Sequence, residues 1–362
     1  MKFLSIPEDV ELEAANALKA MLTRVPAITV EQLRRNVADG KHAPEIDIVA
    51  EIRIGRRRHT IICEVKSNGQ PRYVRSAIAQ LRDAQDTYTP GAILAVIAPY
   101  LSEDAQRLCH ESGVGFLDLV GNAYLAFDSI HIDRQVATKP APESRGLKSL
   151  FGPRSARVLR KMLEDPGQPW RVVDLAEDSG VSIGLVSNVR KALLEREWAS
   201  VDADGLVLSD PDGLLDAWSA DYQVPAKKRF DFYTPLHGRD LQDRLKQIMS
   251  SQNGSGVVTF SSYSAAQWIA PYARTGTTHL YADAGGLARI RSELDLATVP
   301  KGGNISVIVP KDEGIFMDLI EPATDVICTN AVQTYLDLNV SGERGVEAAD
   351  HLRRTLLDWR KA

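Results

Sequence analysis

The sequence predicts a multidomain α/β chain, and three observations carry that prediction. Residues 46–54 alternate apolar and polar, while residues 92–98 (AILAVIA) are continuously apolar, and helical patterns lie between and around them. Residues 152–209 read as helices broken by Gly180 and followed by an alternating run about Asp204-Gly205. Beyond residue 226 short strand-like and helix-like segments take turns. Period-two and period-3.6 segments mixed in this way pack as layers of sheet and helix.

Two composition breaks divide the chain. TKPAPESRGLK at 138–148 and QVPAKKR at 223–229 carry prolines and charge with no apolar rhythm, as linkers do. The expected domains are therefore 1–140, an α/β sandwich; 145–222, a winged helix-turn-helix; and 226–362, a second α/β domain.

In the first piece, Leu12, Ala15, Leu18, Ala20 and Leu22 give a helix over 10–22. Ile46, Ile48, Ala50, Ile52 and Ile54 line one face of a strand, Gly55 and three arginines make the turn, and 59–66 returns. Residues 73–88 read as a helix and 92–98 as a strand covered on both faces. A helix over 102–112 with Ser102 as N-cap follows, then a hairpin over 114–127 turning at Gly121-Asn122.

In the middle piece, helices are expected at 153–163, at 170–179 and from Ser182, an N-cap, to Glu195. Val186, Val189 and Leu193 form the buried stripe of the last one. WASVDADGLVLS at 198–209 alternates about an Asp-Gly turn and gives the wing. In the last piece strands are expected at 256–260, 277–281, 304–309, 315–320 and 325–329, and helices at 264–271, 287–294, 331–338 and 345–359. That piece has no P-loop, no strand-borne GxGxxG and no HExxH.

Bulk properties exclude several classes. No apolar run approaches the ~18–20 residues that span a bilayer. The first residues lack the basic and long apolar regions of a secretory signal, so a cytoplasmic, membrane-free protein is expected. Three scattered cysteines, Cys63, Cys109 and Cys328, predict free buried thiols rather than a disulfide or zinc framework. A net charge of −5 means that any nucleic-acid surface is a local patch.

The chemistry-bearing constellation is Asp47, Glu64 and Lys66. A turn at Gly55–Arg56 sets Asp47 opposite Glu64, with Lys66 on the same face. Two close carboxylates repel, and Mg²⁺ or Mn²⁺ resolves the repulsion by taking oxygen ligands. Such an ion polarises a phosphate, and the lysine stabilises charge there, which is chemistry suited to phosphodiester hydrolysis. The alternative is a solvated E-x-K salt bridge on a surface strand.

Asp47 followed by Glu64-Val65-Lys66 resembles the PD-(D/E)XK nuclease superfamily over roughly residues 8–130, although Pro44 lies three residues before Asp47 rather than beside it. The resemblance implies catalytic Asp47, Glu64, Lys66 and Gln80, and a metal held by Asp47, Glu64 and the helical Glu13. Arg56, Arg57, Arg58, Arg72, Arg75 and Arg82 add phosphate contacts or a solvated face.

In the winged helix-turn-helix the polar face of the third helix offers Ser182, Ser187, Asn188, Arg190 and Lys191 to double-stranded DNA. LAEDSGVS at 175–182, TFSSYSAA at 259–266, PKGGN at 300–304, QTYLDL at 333–338 and RGVEAA at 344–349 are similar to AbiEi-type antitoxins of type IV toxin–antitoxin systems. That resemblance implies a DNA-binding repressor of its own operon beside a nucleotidyltransferase-like toxin, with the oligomeric state open and a homodimer among the options. The usual antitoxin begins with its winged helix, whereas here a nuclease-like domain comes first. The expected function is a DNA-binding transcriptional regulator; the alternative is a Mg²⁺-dependent endonuclease targeted by its winged helix.

Overall fold

The computed structural model describes residues 8–37, 46–87, 90–136, 140–251, 256–272, 275–299 and 302–359. Pro44 and the Pro300-Lys301 pair, both singled out in the sequence, lie outside these residues. The chain forms two compact units: residues 1–145 with the short segment 193–197, and residues 146–192 with 198–362. The pieces expected at 145–222 and 226–362 thus share a unit almost entirely.

The first unit runs α1 (Glu8–Thr23), β1 (Ile28–Val37), β2 (Ile46–Ile54), β3 (Arg57–Val65), α2 (Pro71–Thr87), β4 (Ile93–Ala98), α3 (Glu103–Glu111), β5 (Gly115–Asp118), β6 (Ala123–Phe127) and β7 (Ile130–Arg134). The strands make a 7-stranded sheet in sequence order. β3, β4 and β5 pair in parallel and the other neighbours antiparallel. One face buries Ile48, Ala50 and Ile52 with Leu18 and Leu22 of α1. The other buries Val49, Ile62 and Val96 with Val74 and Ile78 of α2 and Cys109 of α3. The apolar run of β4 therefore faces packed side chains on both sides, as its sequence requires. Ser102 caps α3, its hydroxyl accepting from Ala105 N at 3.3 Å.

β1 and β7 are absent from the sequence reading. In β1 a register shift between Val30 and Gln32 breaks the alternation, leaving apolar residues at Val30, Leu33 and Val37, a spacing that mimics a helix.

The second unit begins within α4 (Ala141–Leu150), so a helix stands where a linker was expected. α5 (Pro153–Glu164), α6 (Val172–Asp178) and α7 (Ile183–Glu195) follow. Gly180 sits at φ +60 between α6 and α7, a left-handed position suited to glycine. β8 (Ala199–Val201) and β9 (Leu206–Leu208) form a two-stranded sheet, and Trp170 exchanges two 2.9 Å backbone hydrogen bonds with Leu206 beside it.

After α8 (Pro211–Asp221) come β10 (Ala226–Tyr233), α9 (Gly238–Ser250), β11 (Val258–Phe260), α10 (Ser262–Ile269), β12 (Thr278–Ala282), α11 (Ala284–Glu293), β13 (Ala297–Thr298), β14 (Ile305–Pro310), a 3-10 turn (Glu313–Phe316), β15 (Leu319–Ala323), β16 (Val326–Thr329), α12 (Ala331–Asn339) and α13 (Glu343–Leu356). The sheet order is β13-β10-β14-β12-β11-β16-β15. The strand expected at 315–320 divides into the 3-10 turn and β15, and the second expected linker is taken up largely by β10.

The helices α5 and α8 and the elements that follow them are tied by polar groups, several of them buried. Arg157 clamps Asp312 through two bonds of 2.7 and 2.8 Å. Arg160, only 4% exposed, reaches Asp318, the Gly314 carbonyl and Gln333. Gln333 donates to Tyr222, and Tyr222 (2.5 Å), Tyr281 (2.9 Å) and Gln333 (3.1 Å) all donate to one oxygen of Asp337. Arg353 of α13 pairs with Asp212 and Asp216 of α8.

Candidate active site

The site in the first unit is built at the end of the β2–β3 hairpin. Ile48 lies opposite Cys63 and Ile54 opposite Arg57, so one step further Asp47 falls across from Glu64, in the register the sequence predicts. Asp47 Oδ2 accepts a 2.7 Å hydrogen bond from Val65 N, which holds the carboxylate over the strand end. Glu64 is buried. Lys66 Nζ donates to Glu64 Oε1 at 2.6 Å and to Gln80 Oε1 of α2 at 2.7 Å. Asp47, Glu64, Lys66 and Gln80 are therefore gathered at one place by β2, β3 and α2.

The electrostatics of the pair are strained in one direction. Burial, then the neighbouring Glu64, pushes the Asp47 carboxyl up to about 7 despite its bond from Val65 and the nearby Lys66. Burial also raises Glu64, against the opposing hydrogen bond and charge of Lys66. One ammonium serves two carboxylates, Glu64 buried and Asp47 half-buried, so a proton or another cation has to make up the balance.

Glu13 is not brought to the pair. On α1 the buried stripe is Ala14, Ala15, Leu18, Met21 and Leu22, while Leu12 is 47% exposed. With 3.6 residues per turn, Glu11 falls on the inward side of that stripe and Glu13 points to solvent. It is Glu11 whose charge raises both Asp47 and Glu64. The missed signal was the helix phase, which the pair Ala14-Ala15 sets better than Leu12.

Among the described residues no group of three His, Cys, Asp or Glu is arranged to hold a metal ion. The two carboxylates fit a hard divalent cation that keeps most of its waters, since Mg²⁺ is commonly held by one or two carboxylates. Their raised affinity for a proton is the physical sign of that unmet charge.

At the hairpin tip Arg57 and Arg58 approach Asp128 and Glu31 at the surface, and Arg82 donates to the Ser112 carbonyl at 3.0 Å. Further along the chain, Val186, Val189 and Leu193 of α7 are buried as expected. Ser182, Ser187, Asn188 and Lys191 are exposed and Arg190 is half-buried. Two of these hydroxyls serve the helix itself: Ser182 Oγ accepts from Leu185 N, and Ser187 Oγ donates to the Ile183 carbonyl. Cys63, Cys109 and Cys328 are free and buried.

Fold and site together define a mixed α/β protein with a carboxylate–lysine–glutamine cluster on its first sheet. Residues 207–358 match the family described as transcriptional regulator, AbiEi antitoxin, type IV TA system. Among solved structures the chain is similar to a repair endonuclease from Pyrococcus abyssi, at 15% identity and TM-score 0.22 over 33% of this chain and 49% of that one. It is also similar to EndoMS in apo form (16% identity, TM-score 0.22, 29% of this chain, 45% of that one) and in a dsDNA complex (16%, 0.22, 33% and 47%). The match spans about half the length of these endonuclease chains. No curated protein matches the chain. No helix among the described residues is long and apolar enough to cross a membrane.

Proposed function

We propose that this chain is a DNA-binding transcriptional regulator of the AbiEi antitoxin kind, acting in the cytoplasm. The observation that carries the reading is α7, which buries Val186 and Val189 and turns Ser182, Ser187, Asn188 and Lys191 outward. With α5, α6 and the β8–β9 ribbon it makes a winged helix-turn-helix whose third helix offers its polar face to a major groove. Asn188 reads adenine there, and Lys191 reads guanine or holds phosphate. A homodimer would set two copies of α7 on successive half-sites. The family match at 207–358 supports a toxin as protein partner, and the resemblance of the sequence to AbiEi-type antitoxins makes that toxin nucleotidyltransferase-like. The test is electrophoretic retardation of the protein's own upstream DNA at fixed salt. Equal affinity for that DNA and for random duplex would overturn the reading.

A second reading, a Mg²⁺- or Mn²⁺-dependent DNA endonuclease targeted by the same helix, is favoured by the convergence of Asp47, Glu64, Lys66 and Gln80. Asp47 and Glu64 would hold the ion, which when bound supplies positive charge to a phosphodiester. Lys66 stabilises charge on the phosphate from Nζ, and Gln80 and Glu64 fix the direction of that ammonium. Nicking of supercoiled plasmid with Mg²⁺ or Mn²⁺, abolished in Lys66→Ala, tests it. Absence of nicking with either ion removes the enzyme and leaves the regulator.

A further inference from the structure

A cavity of about 270 Å³ opens in the second unit between α5, the end of α8, and the segment around the 3-10 turn. Its walls are largely apolar, with Phe151, Ala156, Trp218 and Ile315, and Phe151 stacks on Trp218 at 5.8 Å and 5°. Polar side chains share that lining, Arg160, Asp221, Tyr222, Lys311 and Gln333 among them, and an apolar wall with a few oriented polar groups is how small-molecule sites are generally built.

The informative one is Arg160. A guanidinium has five N–H donors. Three are engaged, with Asp318 at 3.2 Å, the Gly314 carbonyl at 2.7 Å and Gln333 at a long 3.4 Å. Two N–H donors of a side chain only 4% exposed are not taken by these three partners, and Arg160 is one of the residues that line the cavity. Unfilled donors of a buried cation are costly unless something takes them.

The surrounding charge points the same way. Lys148 and Lys311 line the cavity and are exposed. Of the acids nearby, Asp312 is clamped by Arg157 and Asp318 is paired with Arg160. Asp221 is left against two lysines, so the lining carries a positive excess. Size sets the rest. A water needs roughly 10–15 Å³ of such space, so the cavity houses on the order of twenty non-hydrogen atoms. No glycine-rich loop cradles a phosphate here, and planar bidentate donors suit a carboxylate.

We propose that this cavity binds a small aromatic carboxylate, its acid group on Arg160 and Lys311 and its ring against Trp218. The experiment is calorimetric titration of the full chain with benzoate and indole-3-acetate, each beside its neutral amide. Wild type should bind at least one acid and bind its amide at least about tenfold more weakly, one charge-assisted contact being worth about that factor. Lys311→Gln, an exposed change, should weaken the acid by a similar factor. Ala156→Leu, which fills the cavity from α5, should abolish binding. The proposal is overturned if neither acid binds wild type, if the amides bind equally well, or if either variant binds like wild type. Should Ala156→Leu fail to fold, Lys311→Gln decides by the same criterion.

Discussion

Replacing Asp47 by asparagine should stabilise the metal-free protein above neutral pH. The Asp47 carboxyl is raised from 3.8 to about 7, chiefly by burial and then by Glu64. A carboxyl raised on folding binds more protons folded than unfolded, so it costs stability as pH climbs from about 4 to about 7, and the cost is constant above that. Roughly three pH units at about 1.4 kcal/mol each give about 4 kcal/mol, which partial exposure of the group cuts to about 2 kcal/mol. The asparagine amide would keep an oxygen for the Val65 N–H and lose the charge. The assay is the melting of the first unit in EDTA, in wild type and Asp47→Asn, at about pH 5 and about pH 8. The variant should gain several degrees at the higher pH and about half that or less at the lower one. With excess Mg²⁺ the order should reverse, because only wild type binds the ion and is stabilised by mass action. An asparagine variant no more stable than wild type at about pH 8 in EDTA would refute the account of the pair as under-compensated charge.

Other outcomes follow from the same geometry. Asn188→Ala and Lys191→Ala should each weaken specific DNA binding by about 1–3 kcal/mol, measured at one salt concentration. Lys66→Ala should keep the Mg²⁺-dependent rise in melting temperature and lose any nicking, since its ammonium contacts carboxylate and amide rather than an ion. Glu11→Gln should lower the proton affinity of Asp47 and flatten the pH dependence of melting, whereas Glu13→Gln should leave it unmoved. Burial pushes Cys109 and Cys328 up to about 12 and Cys63 further still, so an aromatic disulfide reagent should label none of the three until the protein unfolds.

The hairpin register was legible because both strands are regular and their turn is marked by Gly55, so counting outward from the turn places Asp47 across from Glu64. The buried stripe of α7 was legible for a similar reason, its valines and leucine standing three and four apart. What failed did so where local pattern and tertiary packing part company. The bulge in β1 broke the alternation by which a strand is recognised, and residues 28–37 received no element. Proline and charge near 140 and 225 suggested linkers, but α4 and β10 expose most of their charges and are held by neighbours that sequence alone does not reveal. The long reach from Arg160 to Asp318, or from Tyr222 to Asp337, leaves no periodic trace, since each partner is a single polar residue on a separate element.

That buried polar chain from Arg160 through Gln333 and Tyr222 to Asp337 bears on how the gene could be shuffled. A recombination breakpoint near residue 225 looks harmless by composition, yet it would part Arg160 from Asp318 and Tyr222 from Asp337. Each half would inherit half-buried charge with no counterpart, a loss of about 3–5 kcal/mol for one broken buried ion pair. The helices α5–α8 and the sheet are therefore expected to travel together. Chimeras joined at 225 should precipitate unless the incoming sheet supplies its own acids opposite Arg157 and Arg160.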